Sequence, residues 1–221
     1  MTSFVPVIAI DGPSASGKGT VAQQVARELG FHYLDSGALY RLVALAAMHA
    51  GAPFDDEAKV AALARGVSVR FEGDEVWLDD ERVATMLRTE ECSAAASRVA
   101  ALPSVRTALF ERQRAFRQPP GLVAEGRDMG SVIFPDASLK IFLTADVEAR
   151  AARRYKQLKE KGIAATLPAL LQDLRERDAR DASRPVAPLK QSPDARLLDT
   201  TAMSAEQAAA RIAGWYRGTN R

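Results

Sequence analysis

The sequence predicts an α/β protein: a parallel five-stranded sheet flanked by helices, with an insertion that carries a small antiparallel sheet. Three observations predict it. Short apolar, β-rich runs alternate with amphipathic helical segments, the rhythm of a parallel sheet with crossover helices. The first such run ends in a glycine- and serine-rich loop that opens a helix. One central stretch breaks the rhythm with strict alternation and close turns.

Val7–Ile10 is an apolar run of the kind buried in a parallel sheet. The loop from Asp11 follows, then a helix to about Leu29 with Val21, Ala22, Val25, Ala26 and Leu29 on one face. Gly30 stops it. Phe31–Leu34 is the second strand, and Asp35-Ser36-Gly37 opens a helix through about Ala50, with Ser36 as a candidate cap. Val67–Phe71 alternates, Glu72-Gly73-Asp74 turns, Glu75–Leu78 returns, and Asp79-Asp80-Glu81 turns toward Arg82-Val83. Such a meander is too small to stand alone. Residues 37–100 therefore read as an insertion on the parallel core. Leu122–Glu125, Leu139–Leu143 and Leu197–Asp199 complete the five strands. The polar, glycine-interrupted segment Tyr155–Ala165 reads as an excursion between helices. Ser204 and Gln207 form a capping box for a last helix running to about Trp215.

Composition narrows the function classes. With 47% hydrophobic residues and a net charge of +2, 221 residues fold into one or two small domains and are not disordered. Cys92 is the only cysteine, so there is no internal disulfide framework, and with only His32 and His49 beside it a zinc site is not expected. The longest apolar run, Leu42–Met48, is far short of the ~20 residues of a spanning helix. No positive side chain precedes Lys18, so no signal peptide is read and a cytoplasmic protein is expected, with no membrane partner. Lysines number 7 and arginines 23 within the 30 basic residues. A GC-rich genome gives such a bias, and so does phosphate binding by guanidinium; composition does not choose. The small net charge gives no reason to expect nucleic acid.

Gly12-Pro13-Ser14-Ala15-Ser16-Gly17-Lys18-Gly19-Thr20 is the strongest local signal. Glycines let successive N–H groups wind into one concavity, and the following helix adds its positive N-terminal end. Lys18 supplies a charge to the β- and γ-phosphates. A chance Gly/Ser-rich turn is the competing reading, but strand, loop and helix stand where phosphate binding needs them. Gly19 fills the slot where the general pattern has a Ser or Thr on magnesium. Thr20 is left to serve phosphate, or magnesium through water.

Gly17-Lys18-Gly19-Thr20 resembles the form of this loop in nucleoside-monophosphate kinases, and such an enzyme would have to hold a second anion against the first, which calls for cations near the strand ends. Asp35-Ser36-Gly37-Ala-Leu-Tyr40-Arg41 and Gly126-Arg127-Asp128-Met129-Gly130 both follow strands. An ordinary capped helix and a tight turn with a local ion pair are the plainer alternatives. In the helical stretch Arg175–Arg184, the residues Arg177, Arg180, Asp181 and Arg184 share one face, and Pro185 ends the helix near Ser183 or Arg184. A solvated, self-paired face competes there with a lid that brings arginines to the transferred phosphoryl.

With these residues assembled, the chain resembles the bacterial cytidylate kinases, CMP/dCMP kinases of the P-loop nucleoside-monophosphate kinase superfamily, almost end to end. The marks are GPSASGKGT, LDSGALYR, AAASRVAALPSVR, GRDMG, Val132-Ile-Phe-Pro-Asp-Ala137 and ERDARDASR. The GRDMG and ERDARDASR stretches are more specific than the loop. The resemblance implies a P-loop core (1–36, 101–152, 185–221), a CMP-binding insertion (37–100), and a lid with its helix (153–184). It implies that Gly12 through Thr20 bind ATP, with Mg2+ carried on the nucleotide. Ser36, Arg41 and Arg127 would surround the CMP phosphate. Ser97, Arg106 and Asp128 would face cytosine, and Arg177 and Asp181 would reach the ribose, with Arg184 nearby. Lys18, Arg127 and Arg184 would carry catalysis. The partners implied are ATP, CMP and dCMP, and a monomer is expected.

The implied base contact makes chemical sense. Cytosine offers an N4 donor where uracil has an O4 acceptor, so a carboxylate accepts from one and repels the other. No general base is needed, because the acceptor phosphate oxygen is already anionic; His32 therefore reads as structural. Another small-molecule P-loop kinase is the nearest alternative. A P-loop switch or nucleic-acid ATPase is the next, but neither a γ-phosphate-sensing segment nor motor elements are legible.

Overall fold

The computed structural model describes residues 5–72, 75–160 and 162–219. In chain order these form β1 (Val7–Asp11), α1 (Lys18–Leu29), β2 (His32–Asp35), α2 (Ser36–His49), α3 (Glu57–Gly66), β3 (Val69–Glu72), β4 (Glu75–Leu78) and β5 (Glu81–Arg82). Then come α4 (Glu90–Val99), α5 (Pro103–Arg114), β6 (Leu122–Gly126), β7 (Leu139–Thr144), α6 (Val147–Glu160), α7 (Leu167–Ala182), β8 (Arg196–Asp199) and α8 (Ala205–Thr219). A 3-10 turn (Met86–Arg88) precedes α4, and a π-helical turn (Met129–Ile133) follows β6. The chain divides into two compact units: residues up to Leu34 together with Ala115 onward, and Asp35–Arg114.

The first unit holds the parallel five-stranded sheet, in the order β2-β6-β1-β7-β8. β1 pairs parallel with β6 from Val7↔Leu122 to Asp11↔Gly126, and with β7 from Ile8↔Leu139 to Asp11↔Phe142. Every residue of β1 is buried, as its unbroken apolar run requires. Ile8, Ile10, Ile141 and Leu143 pack with Val21 and Val25 of α1 and Ala208 and Ile212 of α8. Burying side chains such as Ile8 and Ile10 contributes about 1.5–3 kcal/mol each. β1 lies at the centre, where the strand order reverses, so the loop leaving it opens at the switch point of the sheet. α6 and α7 share a smaller core of Ala151, Leu158, Leu170 and Leu174.

Local chemistry sets the helix ends. α1 starts after Gly17 (φ 87) and closes at Gly30 (φ 67), with the Phe31 N–H returning to the Ala26 carbonyl at 2.9 Å. The Ser204 hydroxyl accepts the Gln207 N–H (3.2 Å) while Gln207 accepts the Ser204 N–H (2.9 Å), the capping box read from the sequence.

The second unit contains α2–α5 and the antiparallel sheet β3-β4-β5. It is wider than the 37–100 insertion read from the sequence because α5 packs against α3. The predicted turn at Gly73-Asp74 lies outside the described residues. β3 starts at Val69, since the Val67 N–H is spent on the Leu63 carbonyl at the end of α3. Two expectations are corrected. Asp35, not Ser36, caps α2: its Oδ1 accepts the Ala38 N–H at 3.0 Å. The Tyr155–Ala165 excursion shrinks, because α6 continues to Glu160 with Leu158 buried in the α6–α7 core.

Candidate functional site

The loop after β1 is wound by Ala15 (φ 56) and Gly17 (φ 87), both in the left-handed region. A Cβ on Gly12 would fall inside the carbonyl oxygen of Leu143 on β7, so only glycine lets the chain leave the sheet there. Lys18 is buried, and its ammonium donates to the Pro13 carbonyl at 3.0 Å, lying back across the loop. Two loop carbonyls are held by neighbouring side chains. Arg150 donates to Ser14 O at 3.0 Å, and Arg153 donates to Ser16 O at 3.3 Å. Arg153 also donates to the carbonyls of Thr200 and Thr201. With those carbonyls occupied, the loop has N–H groups to offer a ligand. The Ser16 hydroxyl is buried with no hydrogen-bond partner among the described residues.

The glycine after the lysine has a local cause. A Cβ on Gly19 would lie 2.8 Å from Glu125 Oε1, which accepts the Tyr33 hydroxyl at 2.7 Å. A Ser or Thr would collide with that pair. Thr20, one residue on, is exposed in the first turn of α1.

Arg127 is the hub of the second cluster in this unit. Its Nε donates to Asp181 Oδ2 at 2.7 Å and its Nη2 to the Ser14 hydroxyl at 2.8 Å. Arg184 pairs with the other oxygen of Asp181. Burial pushes the Asp181 carboxyl up, but the charges of Arg127, Arg184 and Arg177 with the Arg127 hydrogen bond outweigh it, and the carboxyl sits below its usual range. Asp178, one turn earlier, pairs with Arg150 Nη2 at 2.7 Å. The structure thus brings Ser14, Arg127, Asp181 and Arg184 together, with Arg177 close enough to act on Asp181. Arg180, expected on the same face, is exposed instead.

Asp128 is buried beside this cluster in sequence, at the head of the π-helical turn. The turn is held by Asp11, whose two oxygens accept the N–H groups of Met129 and Gly130, each at 2.8 Å. Burial drives the Asp11 carboxyl up to about 6 against the pull of those two N–H groups.

In the second unit, Ser36 is buried at the start of α2, and Arg41 one turn on donates to Asp35 at 2.6 Å. Ser97, in the last turns of α4, is buried, and its hydroxyl has no hydrogen-bond partner among the described residues. Arg106 of α5 reaches back to the Ala100 carbonyl at 3.1 Å, which ends α4, and lies over the Tyr40 ring at 5.6 Å. A buried serine hydroxyl without a partner among the described residues is a place that a polar atom of a ligand or a water would complete.

Sequence reasoning missed Asp11, Asp35, Glu125 and Arg150; it expected Arg153 among the lid arginines, whereas Arg153 holds the Ser16, Thr200 and Thr201 carbonyls. Asp11 and Glu125 carried a signal, a charge ending an apolar strand. Arg150 carried none, since it looks like an ordinary helix-surface arginine. His32 Nε2 donates to the Pro119 carbonyl at 2.9 Å, a structural bond. Among the described residues no three His, Cys, Asp or Glu side chains gather as a metal site, and no helix is long and apolar enough to cross a membrane.

Comparison with known proteins bears on this geometry. A family model described as cytidylate kinase matches residues 8–217. The chain is 63% identical over 202 residues to a cytidylate kinase of Bordetella pertussis, covering 91% of each chain. It is 60% identical over 212 residues to one from Bordetella bronchiseptica, covering 96% of this chain and 95% of that one. Among solved structures, an uncharacterised protein of Eubacterium ventriosum superposes with TM-score 0.51 at 13% identity, covering 96% of this chain and 98% of that chain, a likeness of fold.

Proposed function

The chain belongs to the cytidylate kinase family, and from that membership we propose how its residues divide the work. The reaction is transfer of the γ-phosphoryl of ATP to CMP or dCMP, giving ADP and CDP or dCDP, a step of pyrimidine nucleotide metabolism. The observation that carries the assignment of roles is the Arg127–Asp181–Arg184 cluster anchored on Ser14 of the phosphate loop.

In this reading Gly12 through Thr20 cradle the ATP phosphates, with the Ser16 hydroxyl and the loop N–H groups as donors. Lys18 leaves the Pro13 carbonyl for the β- and γ-phosphates. Arg127 and Arg184 neutralise charge on the moving phosphoryl group, and preorganised donors of this kind supply the largest share of catalysis in phosphoryl transfer. Ser36 and Arg41 join Arg127 on the acceptor phosphate. Arg177 and Asp181 take the ribose. Ser97, Arg106 and Asp128 read cytosine, Asp128 by accepting from N4. The acceptor oxygen is anionic, so no residue has to remove a proton.

Magnesium suits the donors present. Thr20 offers a hydroxyl, and Glu125, a buried carboxylate against Gly19, offers the hard oxygen such ions take, directly or through water. When bound it would screen the phosphate charges. Residues 153–184 serve as the lid that excludes water. The enzyme works as a monomer in the cytoplasm, where its nucleotides are, and needs neither nucleic acid nor membrane.

Steady-state ADP formation with CMP, dCMP and UMP, for the wild type and Asp128→Asn, tests the base assignment. The CMP-over-UMP preference in kcat/KM falls by about 1–3 kcal/mol in the variant if Asp128 reads the base edge. An unchanged ratio removes Asp128 from that role.

A further inference from the structure

We propose that Asp11 is a positioning residue for substrate choice: from the end of β1 it fixes the Arg127-Asp128 loop and so sets where the Asp128 carboxylate stands. The proposal rests on the reading of Asp128 as the base-selecting group.

The geometry is that of a two-point clamp. Asp11 pairs in register with Gly126, the last residue of β6 before the loop turns away. Its Oδ1 accepts the Met129 N–H and its Oδ2 the Gly130 N–H, each at 2.8 Å. One carboxylate therefore takes two consecutive N–H groups with two separate oxygens. That fixes both the height and the tilt of the turn above the strand.

These N–H groups are the first two of the π-helical turn, the kind that helix starts leave unsatisfied. The residue placed to cap them is Asp128, yet its side chain makes no capping bond. Asp11 caps the turn from another strand instead.

The seat is also tight. A Cβ on Gly130 would meet the Lys140 side chain at 3.1 Å and the Ala9 Cβ at 3.4 Å, so the turn already rests on β1 and β7. Asp128 itself is buried, and its carbonyl accepts the Val132 and Ile133 N–H groups at 2.9 and 3.2 Å. A displacement at Met129 or Gly130 thus moves Asp128. Burying a charged Asp11 close to the like charge of Asp128 is costly. An apolar residue ending β1 would avoid that cost, but it would leave two buried N–H groups without acceptors.

The test uses Asp11→Asn, equal in shape but with one acceptor replaced by an amide donor that faces an N–H. kcat/KM for CMP and for UMP is measured beside Asp128→Asn and the wild type. The CMP-to-UMP ratio falls about tenfold in Asp11→Asn, the size of one good base contact. The ratio does not depend on how much of the sample is folded, so a destabilised variant still answers. An unchanged ratio in Asp11→Asn with a lowered one in Asp128→Asn overturns the proposal and leaves the base assignment standing. Unchanged ratios in both overturn the base assignment and the proposal with it.

Discussion

Replacing Arg127 with methionine tests the arginine–aspartate cluster as an electrostatic unit. Asp181 is only 1% exposed and is held by two guanidinium groups. Arg127→Met removes its 2.7 Å charge-assisted bond and the bond to the Ser14 hydroxyl, and leaves Arg184 in place. Loss of one charged hydrogen bond to a buried carboxylate costs about 1.5–3 kcal/mol. For a chain of this length that lowers Tm by roughly 3–12 °C. The pH dependence is the sharper signature. In the wild type the folded Asp181 carboxyl lies below the ordinary 3.8, so its contribution is fully present above that value and is lost only as pH falls through the lowered one. Arg127 is the largest influence holding it down, and burial works the other way. Without Arg127 the carboxyl rises toward its ordinary value, while Arg184 and Arg177 still hold it down against burial. The sign stays the same but the contribution shrinks, and what is left is still lost as pH falls below 3.8. Melting curves of both proteins from pH 6 down to about 2 therefore show a Tm gap that is steady above 3.8 and narrows as pH falls below it. A gap constant across that range refutes the cluster as the source of Asp181's behaviour. In the same samples kcat falls by about 100- to 1000-fold, the loss seen when one preorganised donor to developing charge is removed.

Two further outcomes are expected. Lys18→Met lowers kcat by at least about 100-fold while the melting curve moves little, since folding loses chiefly the bond to the Pro13 carbonyl; near-wild-type kcat removes Lys18 from the transfer step. In hydrogen exchange, a bisubstrate analogue protects residues 162–184 more than the first turns of α6, because Arg150 and Arg153 already bind those turns to the loop and to Thr200 and Thr201; equal protection with and without the analogue makes α7 a fixed surface helix.

The sequence displayed the parts of the fold that a local pattern controls. β1 is apolar because both its faces are buried, and the α8 capping box sits within four residues, so each was legible. The extent of α6 was not. Its last turns are polar, and what keeps them helical is Leu158 packing on Leu170 and Leu174, more than ten residues away. The same holds at the site. The phosphate loop announces itself in nine consecutive residues. Ser14 with Arg127, or Arg150 with Asp178, becomes a pair only once the sheet has brought distant segments together. Arg180 illustrates the converse: helical spacing put it with Arg177 and Arg184, but α7 ends at Ala182 and Arg184 reaches Asp181 from beyond the helix.

Ser14 is gripped twice, by Arg150 at its carbonyl and by Arg127 at its hydroxyl, and each arginine ends on a carboxylate of α7. Asp178 and Asp181 stand three residues apart, so both attachments fall on one stripe of that helix. The rotational phase of α7 is thereby geared to the loop: turning the helix by a single residue, about 100°, would unseat both carboxylates at once. Insertions or deletions within α7 upstream of Asp178 would carry that penalty unless they came in whole turns. The connection over residues 162–166 carries no such phase, so a change in its length would leave both carboxylates seated.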